Sequence, residues 1–248
     1  MTRQLSIFKP YREPPDIPVA ERLILDLCGG TGSWSEEYRE AGYNVIIVTY
    51  PEYDVRTFRT PSGVWGILAA PPCTDFSLSG AQYWPAKDAD GRTAEAVVIV
   101  EACLRIVEEA GPDLVFWSLE NPIGRIQDLV PAIGPVMLEF DPFEYAGWGD
   151  MAYLCKCGGL PFEYELGKYG CPNCCGENVA KLIYKDAYTK RTRLWGEFSI
   201  PEKKRVPPIR FTSQGSWLQA LGGDSEQTKE LRSITPQGFA RAFFEANQ

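Results

Sequence analysis

Short, continuous hydrophobic runs alternate along the chain with segments whose apolar residues recur at helical spacing. The runs are Leu23–Cys28, Val45–Tyr50, Val64–Ala70 and Leu114–Pro122. Runs of this length without polar alternation are typical of parallel strands that are buried on both faces. Between two of them, Ala94–Glu109 has apolar residues three and four apart and is followed by Gly111 and Pro112, which predicts a helix that ends there. The alternation predicts an α/β fold with a doubly wound parallel sheet.

A glycine-rich turn follows the first hydrophobic run. The stretch DLCGGTGSWS, Asp26–Ser35, leads into a helix predicted over Ser33–Ala41. Glycines let the backbone approach a ligand closely, and a helix N-terminus attracts anionic groups. The dinucleotide-binding fingerprint is incomplete, because Gly30 and Gly32 are followed by Ser35. By itself this turn fits either a nucleotide-type site or an ordinary packing turn.

Residues that could take part in catalysis follow two of the predicted strands. The loop PPCTDFS places Cys73 just after one strand, and LENP places Glu120 and Asn121 at the end of the next. Open α/β sheets bind ligands beyond the carboxyl ends of their strands, so these residues are expected at one edge. The prolines restrict the loop, and a thiol with an ordinary pKa of about 8.5 needs neighbours that favour the thiolate. Cys73 is therefore a candidate nucleophile and Glu120 a candidate acid; an inert cysteine and a helix-capping carboxylate are the alternatives.

The composition limits the available chemistry. The chain has 248 residues, 44% of them hydrophobic, which is enough for one sizeable core with a small appendage. It contains no histidine, so Ser-His-Asp and Cys-His catalysis and histidine metal sites are excluded. No apolar run reaches the length of about 18 residues that a membrane span needs, and the N-terminus lacks a signal-peptide core. We therefore expect a cytoplasmic protein, in which the eight cysteines serve as thiols, ligands or a nucleophile.

The charges are unevenly distributed. The formal net charge is −8, yet nine basic and only three acidic residues lie between Lys181 and Arg210. A polyanion would therefore meet one face of the protein only. At the end of this stretch, the basic segment Lys203–Arg205, together with Arg210 and the following Trp217, could hold phosphates or could form a solvated loop.

A cysteine-rich segment, CKCGGLPFEYELGKYGCPNCCG, predicts a metal site. Two close cysteine pairs with glycines after them are typical of a zinc ribbon; they are formed by Cys155, Cys157, Cys171 and Cys174. Four thiolates leave no open coordination position, so this zinc would be structural. Cys175 is a competing fifth thiol, and free thiols or a disulfide pair are the alternatives to a metal.

Together, these stretches resemble the cytosine-C5 DNA methyltransferase family over about Leu23 to Asn247. DLCGGTGSWS is similar to the family's cofactor-binding first motif, PPCTDFS to its Pro-Cys nucleophile motif and ENP to its Glu-Asn motif. TKRTRLWG (Thr189–Gly196) resembles the Gln-x-Arg-x-Arg motif. RSITP (Arg232–Pro236) resembles the stretch that opens the last helix of the family.

The resemblance implies a fold and a division of the chain. It implies a Rossmann-like S-adenosylmethionine-dependent methyltransferase fold with an inserted zinc ribbon. Residues 1–150 would form the catalytic core and residues 151–181 the ribbon. Residues 182–248 would hold the Arg motif, a small DNA-recognition region and a C-terminal helix that completes the core. The expected partner is double-stranded DNA with one cytosine flipped out, and no membrane or protein partner is expected.

The resemblance also implies the roles of individual residues. Cys73 would add to C6 of cytosine, Glu120 would act as the acid at N3, and Asn121 would hold the Glu120 loop. Arg191 and Arg193 would contact the carbonyl side of the base. The loop at residues 77–92 could close over the base or be a plain surface loop. The residues expected to bind S-adenosylmethionine are Asp26, Gly30, Gly32, Trp34, Asp54 and Pro71.

The chain departs from the family pattern at several positions. Cys28 stands where the family usually has a phenylalanine, and Thr49 stands near the usual place of an acidic residue that holds the ribose, for which Glu52 is a substitute candidate. Thr189 replaces the glutamine of the Arg motif. Two alternatives therefore stay open. One is the same chemistry on RNA or a free pyrimidine nucleotide, and the other is a non-catalytic nucleic-acid-binding module.

Overall fold

The computed structural model of the chain describes residues 16–155, 179–209 and 231–248. The strands in these ranges are β1 (Leu23–Leu27), β2 (Asn44–Val48), β3 (Val64–Ala69), β4 (Phe116–Pro122), β5 (Leu138–Phe140), β6 (Met151–Cys155), β7 (Val179–Tyr184) and β8 (Thr192–Glu197). One mixed sheet has the order β2-β1-β3-β4-β8-β5, and β6 and β7 form a separate antiparallel pair. The strands from β2 to β4 are parallel, whereas β8 is antiparallel to both of its neighbours.

Helices cover both faces of the six-stranded sheet. They are α1 (Glu36–Glu40), α2 (Trp84–Ala89), α3 (Arg92–Ala110), α4 (Ile126–Leu129) and α5 (Gln237–Ala246). Side chains alternate across a strand, so Leu25 packs in the core under α3 and α4, while Ile24 packs in the core under α1 and α5. This arrangement confirms the predicted α/β class and corrects the parallel sheet to a mixed one, which is compatible with a Rossmann-like fold.

The predicted elements differ from the observed ones mainly at their ends. The first helix begins at Glu36 rather than Ser33, because residues before it are held in turns in which Gly30 and Gly32 have φ values of 54° and 73°. β2 is not buried on both faces as predicted; it lies at the sheet edge, and Asn44 is exposed there. None of the helices in the described ranges is long and apolar enough to cross a bilayer.

Several predicted features lie outside the described residues. Cys155 ends β6, but the position of its side chain is not described, and Cys157, Cys171 and Cys174 fall between the described ranges. Arg210 and Trp217 also fall outside them. The register of the β6–β7 pair places Cys155 opposite Val179, the two described residues that flank segment 156–178.

Candidate active site

The loops that leave β3 and β4 are joined by backbone hydrogen bonds. Ser77 and Gly124 form an antiparallel bridge, the Leu78 amide donates to the Ile123 carbonyl over 2.8 Å, and the Arg125 amide donates to the Phe76 carbonyl over 3.0 Å. Gly124 has to be a glycine, because a Cβ there would overlap the Phe76 carbonyl oxygen. The two polar loops that the sequence predicted at one sheet edge therefore form one structural unit.

The Cys73 loop is a tight turn that presents the cysteine at its rim. The Cys73 carbonyl accepts hydrogen bonds from the amides of Phe76 and Ser77, at 3.0 and 2.9 Å. The Phe76 ring is fully buried and fixes the turn in the core, whereas Cys73 is exposed. The turn thus holds Cys73 at the edge of the sheet, where the loop from β3 meets the loop from β4.

Asn121 connects the Cys73 loop to the end of β4. Its Nδ2 donates a hydrogen bond of 2.9 Å to the carbonyl of Pro71, and its side chain is fully buried. Its Oδ1 has no hydrogen-bond partner among the described residues. Pro71 is itself buried, so this contact fixes the start of the Cys73 loop from inside the protein.

The Cys73 thiol and the Glu120 carboxyl interact electrostatically. Although Cys73 is exposed, the surrounding protein crowds its thiol, and this loss of hydration raises the thiol pKa. The negative charge of Glu120 raises the thiol pKa further, and Asp75 adds a smaller effect in the same direction. Burial likewise raises the pKa of Glu120. The pair therefore lies close enough for the Glu120 charge to act on the thiol, and burial makes Glu120 retain its proton to a higher pH than an exposed glutamate does.

Lys190 supplies positive charge to this pair. Its ammonium group lowers the pKa of both Cys73 and Glu120, and its Nζ is held by the backbone carbonyl of Arg232 over 3.0 Å. The sequence analysis missed Lys190. Its position between Thr189 and Arg191 in the Arg motif was the available signal. Burial raises the pKa of the nearby Tyr188 phenol, with smaller contributions from Asp186 and Glu120.

The two motif arginines bind acidic residues at the β5 edge. Arg193 lies opposite Asn121 across the β4–β8 pair, and its Nε donates to Oε2 of Glu139 over 2.8 Å. Arg191 lies 3.7 Å from Glu139 and 3.8 Å from Asp141. Contact with a base would require Arg193 to exchange its Glu139 partner for the base, so the predicted roles of both arginines stay predictions.

The side chain of Asp26 packs against the glycine turn at Gly29. The carboxyl group is fully buried, accepts a hydrogen bond of 2.6 Å from the Ser35 hydroxyl and fills the space that a Cβ at Gly29 would occupy. Burial raises the pKa of Asp26 to about 6, against the smaller lowering effect of Ser35. Its Oδ1 has no hydrogen-bond partner among the described residues.

The remaining predicted cofactor residues have different surroundings. Gly30 is exposed, with open space beside its Cα, whereas Gly32 is buried against Ile47. Trp34 is 2% exposed and packs edge-on against Phe243 with ring centroids 5.4 Å apart, so it belongs to the core rather than to an open ligand surface.

Asp54 is exposed to solvent in part, and its carboxylate is held by the guanidinium of Arg56. The Nε and Nη2 atoms of Arg56 donate to it over distances of 2.6 to 3.0 Å. These bonds lower the pKa of Asp54. A ligand amino group could reach Asp54 only in competition with Arg56.

The basic segment Lys203–Arg205 makes contacts within the chain. Lys203 and Arg205 lie 3.1 and 2.9 Å from Glu144, and the Lys204 ammonium lies over the ring of Trp148. These charges are thus partly neutralised before any phosphate binds.

No protein-family model matches the chain, and no curated protein sequence matches it significantly. Function therefore rests on the geometry of the site.

Proposed function

We propose that the protein is an S-adenosylmethionine-dependent DNA cytosine-C5 methyltransferase with a Rossmann-like catalytic core. The observation that supports the proposal is the Asn121–Pro71 hydrogen bond, which joins the exits of the neighbouring strands β3 and β4 that carry Cys73 and Glu120; the charge of Glu120 also acts on the thiol. A nucleophile, an acid and a residue that fixes their separation are what the reaction needs. The absence of histidine leaves the thiol and carboxyl groups as the natural acid-base pair.

The proposed reaction begins with Cys73. C5 of cytosine is a poor nucleophile, so the thiolate adds to C6 and makes C5 electron-rich. The carboxylic acid of Glu120 donates a hydrogen bond or a proton at N3 and stabilises the charge that develops. S-adenosylmethionine, when bound, supplies the electrophilic methyl group for C5. A water molecule then accepts the C5 proton, the C–H electron pair forms the C5–C6 double bond, and the bond from C6 to Cys73 breaks and releases the thiolate. Any proton that N3 has taken up returns to Glu120.

The raised pKa of Glu120 fits this role. Burial favours the protonated carboxyl, which is the form that can donate at N3. The raised pKa of Cys73 works against the thiolate, and the Lys190 ammonium partly offsets that effect. The reaction needs the Cys73 thiolate together with a protonated Glu120, and the burial of Glu120 favours the second of these forms.

The glycine turn fits a cofactor that requires close approach to the backbone. Gly30 offers open space at the surface, and one oxygen of the buried Asp26 carboxyl has no hydrogen-bond partner in the part of the chain that the structure describes. Asp54 follows β2 and Pro71 follows β3, the strands on either side of β1, and these two residues complete the proposed set with Gly32. Trp34 is left out, because its ring is enclosed in the core.

Double-stranded DNA is the proposed substrate, and the target cytosine has to leave the base stack to reach Cys73. The predicted closing loop forms a 3-10 helix, Leu78–Tyr83, followed by α2. Leu78 and Tyr83 are each 58% exposed, and they follow the Cys73 turn directly. They are the side chains that we propose to contact bases beside the extruded nucleotide.

A structural zinc ion is the second part of the proposal. Its ligands would be Cys155, Cys157, Cys171 and Cys174, with Cys175 as the competitor of Cys174. The β6–β7 pair supports a closed ribbon, because it pairs Cys155 with Val179, the residues that flank segment 156–178. Metal analysis of the purified protein should find about one zinc per chain. A Cys171→Ser protein that retains its full zinc content would contradict the ligand set.

Mass spectrometry of nucleosides tests the methyltransferase proposal, because it reports both the base and the added group. Duplex DNA incubated with protein and S-adenosylmethionine should contain 5-methylcytosine, and a Cys73→Ser protein should form none. Product in RNA but not in DNA would select the RNA alternative. DNA binding by the folded protein without any modified nucleoside would select the binding module.

A further inference from the structure

Lys87 is a buried cation that contacts the residues next to Cys73. The side chain projects from α2, and the residue is 6% exposed. Its Nζ donates to the carbonyl of Thr74 over 2.5 Å and lies 3.2 Å from Oδ1 of Asp75. The contact with Asp75 is an ion pair without hydrogen-bond geometry. Lys87 therefore holds the backbone of Thr74 and faces the carboxylate of Asp75, the two residues that follow the proposed nucleophile.

A second cation, Arg125, contacts the same turn from the other side. Its Nε donates to the carbonyl of Asp75 over 3.1 Å. Its Nη atoms donate to Asp88 over 2.7 and 2.8 Å and to the Thr93 hydroxyl over 2.9 Å, and its guanidinium lies 4.6 Å from the centre of the Trp84 ring. Lys87, on α2, thus holds the carbonyl of Thr74, and Arg125, which follows β4, holds the carbonyl of Asp75.

The charges of Lys87 and Asp75 have a consequence beyond holding the turn. A buried ion pair is often no more stabilising than apolar residues of similar volume, so stability alone does not account for it. The Asp75 carboxylate acts on the Cys73 thiol and raises its pKa. The ammonium 3.2 Å from Asp75 opposes this effect, because it places a positive charge beside the negative one.

We propose that Lys87 is a positioning residue for Cys73, which fixes the turn through the Thr74 carbonyl and screens the thiol from the charge of Asp75. The proposal rests on the proposed role of Cys73 as a nucleophile. The other charged groups that act on the thiol are Glu120 and Lys190. Lys87 and Asp75 also act on Arg92 and Asp90. The hydrogen bond between Arg92 and Asp90 is the main cause of the raised pKa of Arg92 and the lowered pKa of Asp90, and the charges of Asp75 and Lys87, respectively, add to these shifts.

The test is the rate at which iodoacetamide alkylates Cys73, followed across pH by mass spectrometry of the peptide that contains it. In Lys87→Met the charge of Asp75 is unopposed, so alkylation near pH 7 should slow about fivefold. In Asp75→Asn the negative charge is removed, so alkylation should become faster by a similar factor. The double variant should return to within about twofold of the unchanged protein.

Opposite shifts in the two single variants separate an electrostatic role from a structural one. If both variants change the rate in the same direction, or neither changes it, the proposal is overturned. Lys87→Arg keeps the cation and should stay near the original rate. If Lys87→Met does not fold, Asp75→Asn decides the matter: faster alkylation supports the proposal, and an equal or slower rate overturns it.

The alkylation needs neither DNA nor cofactor, so its outcome is independent of the proposed function. Opposite shifts together with full methylation activity in a Cys73→Ser protein would uphold the electrostatic effect and refute the nucleophile role. Methylation that requires Cys73, without opposite shifts, would uphold the enzyme and refute the role of Lys87.

Discussion

The side-chain amide of Asn121 donates a hydrogen bond to the backbone carbonyl of Pro71 over 2.9 Å. Pro71 precedes Cys73 by two residues, and Asn121 directly follows Glu120. One buried contact between neighbouring strand exits therefore limits how far the thiol and the carboxyl can move apart. A bond of this kind contributes about 1 kcal/mol to stability, but its larger effect is on geometry, because small displacements of reacting groups slow catalysis strongly.

Removal of this contact should affect catalysis more than folding. Asn121→Ala should lower the free energy of unfolding by about 1 to 3 kcal/mol, because it leaves the Pro71 carbonyl without its donor. The rate of cytosine methylation should fall at least about tenfold, with DNA affinity unchanged. Denaturant titration and single-turnover kinetics measure the two effects. Asn44→Ala, at an exposed position on β2, is the control; equal activity in both variants would contradict the positioning role of Asn121.

Glu120→Gln should separate thiol reactivity from methyl transfer. The substitution removes the negative charge that raises the pKa of the thiol, so Cys73 should be alkylated faster near neutral pH. Methylation should nevertheless become at least about a hundredfold slower, because the amide is a far weaker acid at N3. Alkylation and turnover are measured on the same preparation. A fall in both rates would indicate that Glu120 mainly supports the local structure.

Gly124→Ala should disrupt the junction between the Cys73 loop and the β4 exit. The added Cβ would overlap the Phe76 carbonyl, so we expect a loss of about 2 kcal/mol or more in the free energy of unfolding. Gly80→Ala is a matched control on the same segment, because its Cβ would lie at an ordinary contact distance of 3.7 Å from the Thr74 carbonyl. Thermal unfolding compares the two, and equal midpoints would show that the loops are not closely joined.

Asp26→Asn should change how stability depends on pH. The native pKa of about 6 lies above the usual 3.8, so the unfolded chain loses this proton first as the pH rises. The contribution of Asp26 to stability is therefore greatest below about pH 4, and it falls by about 3 kcal/mol as the pH rises from about 4 to about 6. The asparagine variant should lack this part of the fall, although Asp186, also at about 6, keeps its own contribution. Identical pH slopes in the two proteins would contradict the assignment to Asp26.

The sequence predicted the strands that carry the site, because strand periodicity and the position of each loop are local properties. The exits of β3 and β4 meet as expected. The buried position of Trp34 was not predicted, since it depends on α5, which lies about two hundred residues further along the chain and packs Phe243 against the ring.

The contacts that cations make with the Cys73 turn could also not be predicted from the sequence. Lys87 and Arg125 are separated along the chain by α3 and β4, and nothing in their spacing indicates that they hold adjacent carbonyls. Arg193 shows the opposite case: the motif predicted a contact with the base, whereas the strand register places Glu139 opposite it. Motif position identifies the residue type, but tertiary packing determines its partner.

Covalent trapping tests the central claim most directly. Duplex DNA that carries 5-fluorocytosine cannot lose a proton from C5, so a methylated adduct between Cys73 and the base should persist under denaturing conditions. We expect that adduct when S-adenosylmethionine is present, with the crosslink mapped to Cys73 and absent from a Cys73→Ser protein. A folded protein that binds both DNA and cofactor but forms no adduct, or forms one at another residue, would contradict the role assigned to this thiol.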